Sequence, residues 1–329
     1  MTLLGSSLHA KSPESEFRQR LLAWYDSHAR DLPWRKSRDP YRVWVSEIML
    51  QQTRVAAVIE HYREFLRRFP TVQKMAAARE ASVLAAWSGL GYYRRARMLH
   101  AAAKLVARQS GGKFPQTAEE WRALPGIGRY TAAAIASIAL GEAVAVVDGN
   151  VERVLQRLYG KRLHGEELWA AAETLLDRKR PGDFNQAVME LGATVCTPRA
   201  PACLTCPVME LCVVRGEMAG MPKGARQKRR EVHYTLNHRS GKVFLVQRAA
   251  NATLMAGMWE LPEISTPSDR AKPAFTVRHS ITVTDYTVHV WRDVAPNLRS
   301  GKWIPRDRLS KLAITGLTRK ILRRVAENG

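Results

Sequence analysis

From Glu14 to Val195 apolar residues recur three and four positions apart, as in Phe17, Leu21, Leu22 and Tyr25, and this spacing predicts a succession of amphipathic helices. Pro33, Pro40, Pro70, Gly89 and Pro115 punctuate the pattern and mark breaks between them. The texture changes in the last third of the chain. Glu231–Asn237 and Lys242–Gln247 alternate or run β-branched around Arg239-Ser240-Gly241, which predicts a hairpin; a second strand pair is expected within Thr276–Trp291, and a closing helix near Thr315–Val325. The pattern therefore predicts a mainly α domain over residues 1–220 and an α+β domain over residues 231–329. Between them, MPKGARQKRR (residues 221–230) reads as a solvated basic linker, although such a run also suits a localisation signal or a phosphate-binding arm.

Composition narrows the partners. With 329 residues, 46% of them hydrophobic, the chain can bury two cores, and disorder is excluded as its dominant state. Fifty-two Lys and Arg against 30 Asp and Glu leave a formal charge of +22, which attracts polyanions and gains from counterion release at each phosphate contact. Nucleic acid is the first partner this suggests, although the same charge also serves solubility or attraction to anionic membranes. The N-terminus lacks a basic region leading into an apolar run, and the longest apolar stretch, Thr131–Val147, is interrupted by Gly141 and Glu142. The expectation is a soluble, intracellular, DNA-associated protein, cytoplasmic if bacterial, with no membrane span. It is expected to be a monomer, since no heptad seam stands out.

Four segments carry chemistry. All four cysteines fall in one short stretch, Cys196, Cys203, Cys206 and Cys212, spaced C-x6-C-x2-C-x5-C, which points to a local metal centre rather than a disulfide framework. Spacing alone leaves structural zinc and an iron–sulfur cluster both open. In Leu124–Ala139, Pro125, Gly126 and Gly128 form a tight turn ahead of an alanine-rich helical run, the arrangement of a helix-hairpin-helix whose backbone N–H groups can approach a phosphate. In residues 146–155, Asp148 or Asn150 can cap the helix that follows, and a carboxylate held there can also face a developing cation. Glu47 lies among Val45, Ile48, Met49 and Leu50 on a predicted helix. It either faces solvent or, if buried, has a raised pKa and can hold a proton for delivery; the sequence leaves that choice open.

Taken together, Pro33-Trp34-Arg35, SEIMLQQT (46–53), GLGYYRRAR (89–97), LPGIGRYTA (124–132), VDGNV (147–151) and the four cysteines resemble, in order and spacing, the MutY-type adenine DNA glycosylases of the endonuclease III superfamily. The resemblance covers nearly all of residues 14–213. RAANATLMAGMWELP (248–262) is similar to the MutT-like, or Nudix-like, lesion-recognition domain of that family, without the carboxylate cluster of true MutT hydrolases.

The resemblance implies a helix-hairpin-helix catalytic domain and one [4Fe–4S] cluster on the cysteines, with a structural and DNA-positioning role. It implies double-stranded DNA containing A·8-oxoguanine or A·G mispairs as partner, and hydrolytic excision of a flipped adenine. Glu47 is then the general acid and Asp148 the group that stabilises the oxocarbenium-like sugar, supported by Asn150. Tyr130 stands where bifunctional relatives carry a Schiff-base lysine, so the resemblance implies a monofunctional enzyme. Trp34, Arg35 and Gln186 are implied as the adenine pocket, Gln52 and Tyr92 as wedges in the base stack with Leu50 and Thr53 nearby, and Gly126 and Gly128 as the phosphate-binding turn. Aligning residues 277–290 puts Ile281, Thr282 and Val283 where the family carries its Phe-Ser-His loop, with His279 and Ser280 able to take that place in another register. Thr282 keeps a hydroxyl, Val283 offers no ring nitrogen, and His279 and Ser280 lie close by; preference for 8-oxoguanine over guanine is therefore open. The competing readings are a G·T or G·U mismatch glycosylase of the same fold and a non-catalytic iron–sulfur DNA-binding module.

Overall fold

The structure, a computed structural model, describes residues 12–109, 111–218, 228–266, 272–281, 284–296 and 300–327. Helices α1 (Pro13–His28), α2 (Pro40–Leu50), α3 (Val55–Arg68), α4 (Val72–Ala77), α5 (Glu80–Trp87), α6 (Arg94–Gln109), α7 (Ala118–Arg122), α8 (Arg129–Leu140), α9 (Gly149–Tyr159), α10 (Gly165–Leu175) and α11 (Pro181–Thr194) come first. Strands β1 (Lys228–Leu236), β2 (His238–Arg239), β3 (Lys242–Gln247), β4 (Trp259–Glu260), β5 (Glu263–Ile264), β6 (Phe275–Ile281), β7 (Thr284–Arg292) and β8 (Lys302–Pro305) follow, and α12 (Gly316–Glu327) comes last. The chain divides into two compact units, Met1–Gln51 with Ser110–Met221 and Gln52–Gln109 with Pro222–Gly329.

The first unit is helical. Asp39 caps α2, its side chain accepting from the Arg42 N–H at 3.1 Å, and Pro40 supplies a φ already suited to the first turn. Every residue of α2 from Val43 to Met49 is buried, so this is a core helix rather than an amphipathic surface helix, and Glu47 is carried inward with its neighbours. In α8 the run Thr131–Ser137 is buried throughout, and its alanines let neighbouring backbones come close. A Cβ on Gly182 of α11 would lie 2.6 Å from the Ser137 carbonyl oxygen of α8, and one on Gly192 would lie 2.6 Å from the Asn150 Cβ of α9. Small residues thus bring α8, α9 and α11 together at the point where Asp148 enters α9. Phe17, Leu21, Val151, Val154, Leu155, Phe184 and Leu191 fill the core around them.

The second unit joins a helical part to an α+β part. Phe65 of α3 packs edge-on against Phe69 and against Trp87 of α5, with centroids 5.1 and 5.9 Å apart. Strands run in the order β5-β1-β7-β6, with β1 parallel to β7 and the other pairs antiparallel; β3 pairs with β2, β4 and β8. Val232, Tyr234, Leu236, Val277, Val288 and Val290 form one apolar face, covered by Leu317 and Ile321 of α12. The turn after α5 is tied to this part of the unit: Ser88 Oγ donates to the Ile314 carbonyl at 2.6 Å, and Arg319 Nε donates to Ser88 Oγ at 3.1 Å.

The two fold types stand as expected, with two differences in the strand region. The hairpin about Ser240-Gly241 forms only through residues 237–239, the Asn237 carbonyl accepting from the Phe244 N–H at 3.1 Å; β1, up to Leu236, runs through the sheet interior, parallel to β7, because its alternating apolar residues are buried there. The tight turn at Ser240 (φ 47°) and Gly241 (φ 71°) instead joins β3 to the two-residue β2. In the basic stretch, Lys228–Arg230 already belongs to β1, while residues 221–227 lie outside the described residues. The pair β6–β7 forms in register from Phe275↔Val290 to Ile281↔Thr284; Thr282 and Val283 lie outside the described residues. Among the described residues no helix is long and apolar enough to cross a membrane.

Candidate active site and cluster loop

Glu47 is 6% exposed, and its Oε2 accepts from the Tyr130 hydroxyl at 2.9 Å. Burial pushes its carboxyl up to about 7; the Tyr130 hydrogen bond and Arg35 oppose the rise, and the charge of Asp148 adds to it. The phenol of Tyr130 is raised well above its usual range, first by burial and then by the charges of Glu47 and Asp148. It therefore stays protonated, a donor to the carboxylate and not a nucleophile.

Asp148 sits in a different environment. As N-cap of α9 it accepts at Oδ1 from the N–H groups of Asn150 (2.9 Å) and Val151 (2.8 Å), and at Oδ2 from Asn150 Nδ2 (2.9 Å). The helix-cap reading of this aspartate is seen directly, since its side-chain oxygens accept from the N–H groups that open α9. The site thus sets a dry carboxyl that titrates near neutrality beside one held by donors at a helix start. Divergent environments of this kind fit one carboxyl as acid and the other as stabiliser of a cation.

Beside the acids, the 3-10 turn Pro33–Arg35 places Arg35, whose Nη2 donates to Glu190 Oε2 at 2.8 Å while its guanidinium lies 5.4 Å from the Tyr25 ring centroid. Arg30 donates to the same carboxylate through Nε and Nη2, each at 2.7 Å. Burial works against a charge on Glu190, but the two arginines outweigh it and hold the carboxyl at about 2. Trp34 is buried in the same turn as Arg35, and Gln186 lies half-buried on α11, one turn before Glu190. Sequence reasoning missed Glu190 and Arg30. The signal was present in AVMELGA, where Glu190 stands as a lone charge in an apolar helical run, just as Glu47 does in α2.

Leu50 ends α2, half-buried, and the next residue, Gln51, donates to Thr131 Oγ1 at 3.1 Å. Gly126 (φ 79°) reverses the chain between α7 and α8, and Gly128 is the N-cap of α8 with no side-chain cap hydrogen bond. Gln52, Thr53 and Tyr92 belong to the second unit; Gln52 is exposed and Tyr92 is 43% exposed.

The cysteines form no disulfide and are partly buried: burial pushes the Cys206 thiol up to about 11, a hydrogen bond with the Val208 backbone opposes the rise, and the charges of Cys196, Cys212 and Cys203 add to it. Four partly buried cysteines in one short loop fit a cationic metal centre, which would offset the cost of ionising buried thiols. Arg157 Nη1 donates to Cys196 Sγ at 3.3 Å and to the Thr197 carbonyl at 2.7 Å. Arg153 donates to the Cys196 carbonyl (2.7 Å), to Asn150 Oδ1 (2.8 Å) and to the Gly192 carbonyl (2.6 Å), so α9 links the cluster loop to the support of Asp148.

Residues 45–175 match the model of the HhH-GPD superfamily of base excision DNA repair proteins, and residues 196–212 match the iron–sulfur binding domain of endonuclease III. The second match settles the choice left open by spacing: the ligand set is that of one [4Fe–4S] cluster. The chain is 41% identical over 320 residues to the adenine DNA glycosylase of Homo sapiens, covering 77% of this chain and 58% of that protein. It is 35% identical over 318 residues to the adenine DNA glycosylase of Schizosaccharomyces pombe, covering 75% and 69%. Among solved structures, a thermostable thymine-DNA glycosylase matches with a TM-score of 0.59 at 31% identity, covering 62% of this chain and 96% of that one. Endonuclease III in a non-covalent DNA complex matches at 0.54 and 22% identity, covering 60% and 93%, and shows the fold alone.

Proposed function

Since the chain belongs to the adenine DNA glycosylase family, we propose that it excises adenine mispaired with 8-oxoguanine or guanine in duplex DNA, by hydrolysis and without cutting the strand itself. The observation that carries this reading is the pairing of Glu47, buried and titrating near 7, with Asp148, held by donors at the start of α9. An N-glycosidic bond within a duplex is out of reach, so the adenine is first extruded. Glu47 delivers its proton to N7 of the adenine, which makes the base a neutral leaving group; the purine supplies an N7 that a thymine or uracil lacks. Asp148 stabilises the oxocarbenium-like sugar until water adds, and Asn150 keeps its carboxylate aimed.

Trp34, Arg35 and Gln186 line the pocket for the base in this reading, and Glu190 fixes the Arg35 guanidinium. The Gly126–Gly128 turn takes a phosphate, while Gln52 and Tyr92, with Leu50 and Thr53 beside them in the chain, enter the base stack. The [4Fe–4S] cluster, when bound, would tie the 196–212 loop together for DNA positioning and take no part in bond cleavage. Tyr130 offers no amine, so no Schiff base forms. Residues 1–220 act as the catalytic domain and 231–329 as the lesion-recognition domain, the protein working as a monomer on double-stranded DNA.

The pH profile of single-turnover adenine release tests the acid. Because Glu47 must enter the reaction protonated, the rate will fall tenfold per pH unit above its pKa of about 7 and level off below it. A rate unchanged from pH 6 to 9 removes Glu47 from the role.

A further inference from the structure

Gln52 (φ 54°) and Tyr92 (φ 47°) both lie in the left-handed backbone region, which is strained for a non-glycine residue and persists only where the surroundings over-determine it. The two turns are separate in sequence, and one side chain spans them. Arg95, in the first turn of α6, donates through Nη2 to Thr53 Oγ1 at 3.1 Å, beside Gln52, and to the carbonyls of Gly91 (3.3 Å) and Leu90 (3.5 Å), just before Tyr92. The same guanidinium lies 5.5 Å from the ring centroid of Tyr92 and 5.5 Å from that of Trp87, whose Nε1 also donates to the Gly91 carbonyl at 3.2 Å. A planar cation can donate along its edge and stack through its faces at the same time. Burial lowers the Arg95 pKa to about 10, so the group remains charged at neutral pH.

We propose that Arg95 is a positioning residue for base extrusion: it locks the Gln52 turn to the Tyr92 turn, so that the two side chains enter the base stack as one rigid element. The inference rests on the proposed wedge role of Gln52 and Tyr92. A lysine keeps the charge but has a point ammonium that cannot serve Thr53, Gly91 and both ring faces together.

The test uses the full chain carrying its cluster. Extrusion is read in a Glu47→Gln background from the fluorescence of 2-aminopurine placed beside the target adenine, and single-turnover release is read with Glu47 intact. Arg95→Met and Arg95→Lys are expected to lose most of the fluorescence rise and to slow release roughly 10- to 100-fold, the scale of a misplaced positioning element. Their visible cluster absorbance and the pH midpoint of release should not move. Arg95→Lys added to the Gln52→Ala and Tyr92→Ala pair should be no slower than that pair alone, since wedges already lost cannot be mispositioned. If Tyr92→Ala and Gln52→Ala abolish the fluorescence rise while Arg95→Lys and Arg95→Met keep both rise and rate, the positioning role is wrong and the wedge reading stands. If Tyr92→Ala and Gln52→Ala also leave both unchanged, the wedge reading fails and this inference falls with it. A further loss on adding Arg95→Lys to the Gln52→Ala and Tyr92→Ala pair would likewise overturn it.

Discussion

Glu47→Gln will bind a mispaired duplex as the parent does and lose base release by roughly 10²- to 10⁴-fold, the range contributed by a positioned general acid. The amide keeps the shape of the side chain and can still accept the Tyr130 hydroxyl, so the 2.9 Å contact and the packing of α2 survive. What disappears is the proton. A buried carboxyl titrating near 7 is half protonated at neutral pH and gives up its proton readily, whereas an amide gives none. The measurement is single-turnover adenine release at saturating enzyme, with binding read separately on uncleaved duplex. Release within threefold of the parent would end the assignment of Glu47 as the acid.

Asp148 allows its two roles to be separated. Asp148→Asn retains one side-chain oxygen to cap α9 but removes the negative charge, and release should fall about 10²- to 10³-fold with the thermal midpoint nearly unchanged. Asp148→Ala removes cap and charge together; it should lose as much activity and in addition about 1 kcal/mol of stability, because the Asn150 and Val151 N–H groups lose their acceptor. Thermal unfolding and release rates on both variants check this. Full activity in Asp148→Asn, or equal stability losses in the two variants, would show that the aspartate is a cap alone.

The legible part of this protein was the part written locally. Helical spacing, the Pro-Gly-x-Gly turn ahead of α8 and the four clustered cysteines each declare themselves within a few residues, and the matching elements are present. The fate of Glu47 was not local. Seen along the sequence it was a charge among apolar residues; that α2 is buried on all sides from Val43 to Met49 depends on helices contributed from distant segments. Glu190 escaped for the same reason, since its partners Arg30 and Arg35 lie more than 150 residues away. The expected hairpin shows a further limit: β1 looks like a neighbour of β3 in sequence, yet its partners are β5 and β7, because parallel pairing is decided by which strands share a buried face rather than by the nearest turn. Arg95 was invisible as well. Nothing in GLGYYRRAR distinguishes it from Arg94 or Arg97 until the Thr53 and Gly91 contacts are seen.

The central claim, that the Glu47–Asp148 pair removes adenine and leaves the strand whole, is tested most directly by single-turnover reactions of the cluster-loaded protein on four matched duplexes, A·8-oxoguanine, A·G, T·G and U·G, with products resolved before and after alkali. Adenine released from the first two, with strand breaks appearing only after alkali, is the predicted result, and the ratio of those two rates reads out the preference for 8-oxoguanine over guanine. Thymine or uracil released from the last two with adenine left in place, breaks without alkali, or no base released from any duplex would contradict it.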